Sequence, residues 1–401
     1  GSHMSLRYLR FLTAGESHGK GLTAILEGIP ANLPLSEEEI NHELRRRQRG
    51  YGRGGRMKIE KDTAEILSGV RFGKTLGSPI ALFIRNRDWE NWKEKMAIEG
   101  EPSPSVVPFT RPRPGHADLS GGIKYNQRDL RNILERASAR ETAARVAVGA
   151  VCKKFLSEFG IKIGSFVVSI GQKEVEELKD KSYFANPEKL LSYHEKAEDS
   201  ELRIPFPEKD EEFKTYIDEV KEKGESLGGV FEVFALNVPP GLGSHIQWDR
   251  RIDGRIAQAM MSIQAIKGVE IGLGFEAARR FGSQVHDEIG WSEGKGYFRH
   301  SNNLGGTEGG ITNGMPIVVR VAMKPIPTLK NPLRSVDIET KEEMKAGKER
   351  TDIVAVPAAS VVGEAMLAIV LADALLEKLG GDFMEEVKKR FEDYVNHVKS
   401  F

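Results

Sequence analysis

Ser138-Ala139-Arg140-Glu141-Thr142-Ala143-Ala144-Arg145-Val146-Ala147-Val148-Gly149-Ala150-Val151-Cys152-Lys153-Lys154-Phe155 is the stretch around which the chain is organised. Ala143, Ala144, Val146, Ala147, Val148, Ala150, Val151 and Phe155 leave almost no polar face, which marks a helix buried on most sides. Ser138 and Glu141 have capping-box spacing, so the helix is predicted to begin at Ser138 with its unpaired N–H groups and positive dipole end flanked by Arg136 and Arg140. A buried helix aimed this way suits a phosphate or carboxylate; an ordinary capped core helix with surface arginines is the alternative. Just upstream lies the loop Arg113-Pro114-Gly115-His116-Ala117-Asp118, which places a titratable group beside the anion site.

Composition bounds the rest. The 401 residues are 29% charged and 39% hydrophobic, enough for a large core. Lys+Arg and Asp+Glu both number 59, which argues against a protein built to coat nucleic acid or an anionic membrane; any basic site must be local. The single cysteine, Cys152, falls inside the apolar helix, so no disulfide framework or thiolate metal cluster is expected, and a reducing cytoplasm is the expected compartment. Gly1-Ser2-His3-Met4 reads as a cloning remnant, and no signal peptide is expected after it. The most apolar run, Val361 to Leu376, is shorter than a membrane span and carries Glu364 and Asp373, so a second buried helix is predicted there.

Strand-like runs at Tyr8 to Leu12 and Leu22 to Glu27 enclose the turn Gly15-Glu16-Ser17-His18-Gly19, which displays Ser17 and His18 at a strand end. Ser36 and Glu39 form another capping box, opening a helix with acids first and Arg45, Arg46 and Arg47 last. Gly50-Tyr51-Gly52-Arg53-Gly54-Gly55-Arg56 is read as a loop ordered mainly by an anionic ligand held by Arg47, Arg53 and Arg56. Further strands are predicted at Ala64 to Val70, Pro79 to Ile84, Phe166 to Ile170, Val230 to Val238 and Met315 to Met323, with a mobile stretch from Asp88 to Pro108. Residues 172–226, dense in Lys and Glu, are read as a solvated excursion without chemistry. A helix of small residues spans about Arg251 to Ile266. Gly160-Ile161-Lys162-Ile163-Gly164 and Gly268-Val269-Glu270-Ile271-Gly272, each following a helix, hint at an internal duplication within one domain, residues 5–401. The glycine-rich loop Asn302 to Gly310 would let backbone approach a flat ligand, but it has neither phosphate-loop nor dinucleotide-loop spacing.

His18 and His116 stand in glycine-rich turns and could each act as a general acid near neutral pH. Arg47, Arg53, Arg56, Arg113 and Arg140 lie near them in a chain with no net charge, which points to a small ligand bearing several negative charges. No His/Asp/Glu cluster has metal-ligand spacing, and no Gly-x-Ser-x-Gly elbow offers a serine nucleophile.

Taken in order, Gly15-Glu16-Ser17-His18-Gly19 through Gly28-Ile29-Pro30, Arg113 through Asp118, Glu135 through Val146, Ser262-Ile263-Gln264-Ala265-Ile266-Lys267-Gly268-Val269-Glu270 and Asn302 to Gly314 closely resemble the signatures of the chorismate synthase family, over nearly the whole chain. The resemblance implies an α+β fold, a β-α-β sandwich with internally duplicated halves and buried central helices, in a homotetramer. It also implies a 1,4-anti elimination converting 5-enolpyruvylshikimate 3-phosphate to chorismate and phosphate, dependent on reduced FMN without net redox change. By that analogy His18 protonates the leaving phosphate, His116 faces the flavin and Asp352 assists removal of the C6 hydrogen. Ser17, Arg47, Arg53, Arg56, Arg113, Arg140 and Arg350 would hold the substrate. Arg136, Ala137, Ser138, Gln264, Ala265, Gly309, Lys324, Pro325, Ile326, Pro327, Thr328 and Arg350 would contact FMN, and no metal is implied. The chain departs from the family pattern in having Glu349 before Arg350 and Ile353 after Asp352. Reduction of the flavin would come either from a nicotinamide cofactor on this chain or from an external flavin reductase. Two other classes were weighed: an RNA-binding module using Arg45 to Arg56, and a conventional flavin oxidoreductase.

Overall fold

The computed structural model describes residues 6–51, 62–326, 330–347 and 354–401. Four antiparallel strands make the first sheet: β1 (Arg10–Ala14), β2 (Gly21–Glu27), β3 (Ala64–Ile66) and β4 (Ile80–Arg85), in the order β1-β2-β4-β3. Five make the second: β5 (Lys162–Ile170), β6 (Lys173–Glu174), β7 (Gly229–Leu236), β8 (Ile266–Ile271) and β9 (Ile317–Met323), in the order β8-β9-β7-β5-β6. Helices α1 (Glu37–Gln48), α2 (Asp118–Tyr125), α3 (Arg131–Ala137), α4 (Thr142–Ser157), α5 (Pro187–Glu198), α6 (Asp210–Glu222), α7 (Ile252–Met261), α8 (Val356–Leu379) and α9 (Met384–Ser400) complete the frame. The helices α4 and α8 lie between the sheets, α4 packed on the first and α8 on the second, giving the sheet–helix–sheet sandwich of an α+β protein.

The pattern of each element explains its layer. In the first sheet one face alternates inward, with Leu22, Ala24 and Leu26 beside Ile80, Leu82 and Ile84, while Leu12 and Ile25 face out as cross-strand partners. The second sheet instead has consecutive buried residues, such as Phe166-Val167-Val168 and Phe231 through Leu236, because both of its faces are covered. The helix α8 is buried nearly end to end, so its length and hydropathy reflect a core position, and it ends at Gly380 with φ 66°. Where α4 and α8 meet, Gly149 permits the approach: a Cβ there would lie 2.3 Å from the Ala365 Cβ.

Both sheets repeat one strand order. Taking β1-β2-α1-β3-β4-α4 and β5-β7-α7-β8-β9-α8 as units, the first, second, fourth and third strands neighbour one another in each sheet. In this topology α1 corresponds to α7 and α4 to α8. The two glycine-flanked pentapeptides follow α4 and α7, so they do not occupy corresponding places.

Residues 172–226 are not a solvated excursion. Their helices α5 and α6 bury Leu190, Tyr193, Ala197, Phe213 and Ile217, and α5 covers the face of the second sheet turned away from α8. Tyr183 Oη and the Arg320 guanidinium both donate to buried Glu232, at 2.8 and 2.5 Å. Charge from this segment also enters the core. Glu364 of α8 accepts from Arg46 of α1 at 2.8 and 2.9 Å, from Lys153 of α4 at 2.6 Å, and from Ser165 of β5. Glu198 of α5 accepts from Arg46 at 2.5 Å and pairs with Arg203. Burial alone would raise both carboxyls, but the surrounding cations outweigh it, holding Glu364 well below the usual carboxylate range and Glu198 at about 2. Asp373, also in α8, accepts the backbone N–H groups of Arg7, Tyr8 and Leu9 at 2.7–3.1 Å and pairs with Arg255, fastening the entry to β1 onto the central layer.

Candidate active site

A cavity of about 580 Å³ opens where the β1–β2 turn, the Arg113–Asp118 loop, the starts of α4 and α8, and the α7–β8 connection meet. Of the residues singled out by sequence, Ser17, His18, Arg47, Arg113, His116, Ala137, Ser138, Arg140, Gln264, Ala265, Lys324 and Ile326 line it. His18, His116 and Arg140, far apart in the chain, thus face one space. The volume is within the range of small-molecule sites, roughly 300–1,000 Å³.

The β1–β2 turn is clamped to α3. Ser17 N–H donates to the Glu135 carbonyl at 2.9 Å, and the Glu135 carboxylate accepts the His18 N–H at 2.6 Å while its other oxygen meets His18 Nδ1 at 2.8 Å. Arg131, one turn earlier on α3, donates to the same carboxylate at 2.9 Å. Burial would raise the Glu135 carboxyl, but His18 and Arg131 outweigh it and hold it below its ordinary value. Trp92 stacks on His18 with ring centroids 3.8 Å apart and planes 20° from parallel. Trp92 comes from the stretch predicted to be mobile. That stretch instead folds through a 3₁₀ turn at Trp89–Asn91, with Trp92 Nε1 donating to Asp88 at 3.1 Å.

The Arg113–Asp118 loop closes on itself. Buried Asp118 accepts the Arg113 N–H at 2.9 Å and its guanidinium at 3.0 and 3.2 Å, a two-pronged grip that fixes the arginine at the cavity wall. Gly115 makes the turn at φ 80°. His116 departs from the expectation of a general acid near neutrality: burial, with Arg113 and Lys324 outweighing Asp118, lowers it to about 4. At pH 7 it is therefore neutral. Its Nε2 is buried with no hydrogen-bond partner among the described residues.

The start of the central helix also differs from the prediction. Ser138 caps a short 3₁₀ turn, Ala139–Glu141, by accepting the Arg140 N–H at 3.2 Å, and α4 begins at Thr142. No capping box forms, because Glu141 is drawn to other partners instead: Thr13 at 2.7 Å and Gln264 at 3.1 Å from elsewhere in the chain, and Arg145 at 2.8 Å one turn further along α4. Arg140 pairs with buried Asp62 at 2.5 Å, and Arg47 reaches the same carboxylate at 3.5 Å while donating to Thr142 Oγ1 and the Ala139 carbonyl. Lys324 has no ion pair among the described residues. Burial and the nearby Lys267 and Arg113 lower its pKa, a cation whose charge an incoming anion would stabilise.

Arg136 faces away from this space. Its guanidinium donates to the Thr13 carbonyl and hydroxyl at 3.0 and 2.9 Å, beside a second cavity of about 420 Å³ that shares Gln264 with the first. Gly309 lies on a small hairpin, Thr307–Glu308 paired with Ile311–Thr312, outside the cavity lining. The close backbone approach in that glycine-rich loop is to protein: a Cβ on Gly305 would lie 2.4 Å from the Gly272 nitrogen, and one on Gly310 2.7 Å from the Arg251 side chain. Pro325 is absent from the lining, and Arg53, Arg56, Pro327, Thr328, Arg350 and Asp352 lie outside the described residues. Sequence reasoning missed Asp88, Trp92, Ile263, Ala355, Ala359 and Val362, which line the cavity, and gave Glu135 no role. The Arg131–Glu135 spacing, four apart on a helix, was the available signal for the last. Ala265 is held at φ 69°, a left-handed backbone in a non-glycine residue bordering the cavity.

No group of three or more His, Cys, Asp or Glu placed to hold a metal ion occurs among the described residues. Among known proteins, residues 9–376 match a family model described as chorismate synthase. A chorismate synthase of Sulfurihydrogenibium sp. is 62% identical over 398 residues, covering 98% of this chain and 100% of that one. One of Geobacter sulfurreducens is 57% identical over 400 residues, with the same coverage of each. A solved structure described as the crystal structure of chorismate synthase has 84% sequence identity and a TM-score of 0.83, covering 99% of this chain and 100% of that chain.

Proposed function

This chain belongs to the chorismate synthase family, and from that premise we propose how its cavity carries out the family's reaction. The reaction is the 1,4-anti elimination of phosphate from 5-enolpyruvylshikimate 3-phosphate: the C3–O bond to phosphate breaks, a C6 hydrogen leaves, and chorismate forms. The substrate carries two carboxylates and a phosphate. Arg47, Arg113 and Arg140 supply guanidinium forks around one space, and Lys324 supplies a cation without a partner among the described residues. His18 donates the proton to the departing phosphate through the ring nitrogen that Glu135 does not engage, and Ser17 positions that turn. The convergence of His18, His116 and the arginines on one cavity is the observation that carries this reading.

The lining also fits reduced FMN. Ile263, Ala265, Met323, Ile326, Ala359 and Val362 offer apolar surface for a flat ring, and the unpartnered His116 Nε2 offers a hydrogen bond to its polar edge. When bound, the reduced flavin supplies electron density that makes the C3–O bond easier to break. Ala137, Ser138, Gln264, Ala265, Lys324 and Ile326 would hold it, and the neutral His116 would keep its orientation without adding charge. A homotetramer in the cytoplasm, with flavin reduction by this chain or by a separate reductase, completes the proposal.

Anaerobic incubation with photoreduced FMN and the enolpyruvyl substrate tests it, with phosphate and chorismate absorbance followed together. Both are expected to rise in equal amounts, and His18→Ala is expected to slow them by roughly a hundredfold or more. Unchanged turnover in that variant removes His18 from the mechanism.

A further inference from the structure

Glu135 is buried, with its side chain 1% exposed, and it spends both carboxylate oxygens on a single residue of the cavity. One oxygen takes the main-chain N–H of His18 and the other its Nδ1, so backbone and ring are fixed together. Trp92 closes the opposite face of the ring, and Arg131 both pairs with Glu135 and stands over Trp92, 5.5 Å from its centroid. A turn that needed only anchoring would be satisfied by the Ser17 N–H bond to the Glu135 carbonyl. The additional carboxylate contact with the ring selects one tautomer, because an acceptor-only carboxylate facing Nδ1 requires a proton there.

We propose that Glu135 is a positioning residue for the elimination: it holds the His18 imidazole with Nδ1 protonated and Nε2 turned to the substrate, and it stabilises the imidazolium that delivers the proton. The proposal rests on His18 being the acid. In the step, the C6 hydrogen leaves as a proton, its bonding pair forming the new ring double bond while the existing one shifts toward C3; the C3–O electron pair goes to the phosphate oxygen, which takes the His18 Nε2 proton, and His18 is left neutral until solvent reprotonates it. Among the described residues, the other charged or titratable groups around this cavity are Arg131 on α3, Asp88 behind Trp92, and Arg47, Arg113, His116, Arg140 and Lys324 on its walls. Glu135 is the carboxylate in direct contact with the ring, so its removal should dominate any change.

Turnover with photoreduced FMN is measured against pH for the full-length protein, Glu135→Gln, Glu135→Asp, His18→Ala and His18→Ala/Glu135→Gln. Glu135→Gln is expected to lower kcat about tenfold or more with KM little changed, since the ring is no longer held in place. Glu135→Asp is expected to recover part of the rate, and the double variant to be no slower than His18→Ala. If His18→Ala turns over normally, the reading of His18 as the acid fails. If His18→Ala is impaired but Glu135→Gln keeps the kcat of the unaltered protein, only the present inference is overturned. Nitrogen-15 spectra of the unaltered, histidine-labelled protein keep the test independent of how the variants fold. In its neutral form His18 is expected as the Nδ1–H tautomer, and an Nε2–H tautomer overturns the inference.

Discussion

Replacing Gly149 by Ala tests whether the contact between α4 and α8 sets the geometry of the cavity. The added Cβ would lie 2.3 Å from the Ala365 Cβ and 2.6 Å from its Cα, where carbon contacts relax near about 3.5–4.0 Å. The helices would have to part by roughly 1.5 Å, and sheets packed on both sides resist that. Overpacking of this kind costs about 1–3 kcal/mol, partly offset by roughly 0.5–1 kcal/mol from removing a helical glycine. A net loss of about 1–2 kcal/mol is expected, read as a lower urea midpoint at unchanged slope. The starts of both helices border the cavity through Arg140, Thr142, Ala359 and Val362, so KM for the enolpyruvyl substrate should rise as well. In Gly149→Ala/Ala365→Gly the methyl-to-methyl clash is gone but the Cα of residue 365 still lies 2.6 Å from the new Cβ, so only part of the loss should be recovered, a coupling that a double-mutant cycle isolates. A Gly149→Ala protein as stable as the parent would refute the tight crossing.

Asp373→Ala strands three backbone N–H groups and the buried Arg255, so a loss of about 3–5 kcal/mol is expected in chemical unfolding; a loss under about 1 kcal/mol would mean the N-terminal segment is held otherwise. Glu364 and Glu198 have folded-state pKa values depressed below the unfolded value, so the stability they contribute is present above about pH 4.5 and is lost as pH falls toward 2. Acid unfolding followed by circular dichroism should accordingly steepen below pH 4.5 and flatten in a Glu198→Gln variant. The segment from Gly50 to Arg56, most of it outside the described residues, should be cleaved by protease in the free enzyme and protected with substrate and FMN; identical cleavage with and without ligand counts against a ligand-ordered loop.

Sequence revealed those features whose cause is local. The Ser36–Glu39 capping box was legible because its partners are three residues apart, and α8 because a run apolar on every side shows burial whatever packs against it. The same spacing at Ser138 and Glu141 misled, because Thr13 and Gln264, from distant parts of the chain, claim the glutamate together with Arg145 one turn further along. Charge density hid the amphipathic spacing of Leu190, Tyr193 and Ala197, and of Phe213 and Ile217, behind the lysines and glutamates between them. The histidines and arginines of the cavity were found because turns rich in glycine announce them. Trp92 gave no such signal: its role exists only once the Asp88–Pro108 stretch folds over His18. Arg136 and Gly309, adopted by analogy, are not among the residues lining the cavity.

The innermost helix is also among the last to be synthesised. As the chain emerges from the ribosome, β1, β2 and α4 are complete some two hundred residues before Val356–Leu379 can enter the layer they must share. Until then the nascent protein shows water the apolar face of α4 and a sheet without its full backing, and Arg7, Tyr8 and Leu9 wait for an aspartate at the far end of the polypeptide. Folding that depends on so remote a closure is slow and exposed to aggregation, which makes translation in the company of chaperones the natural setting for this architecture.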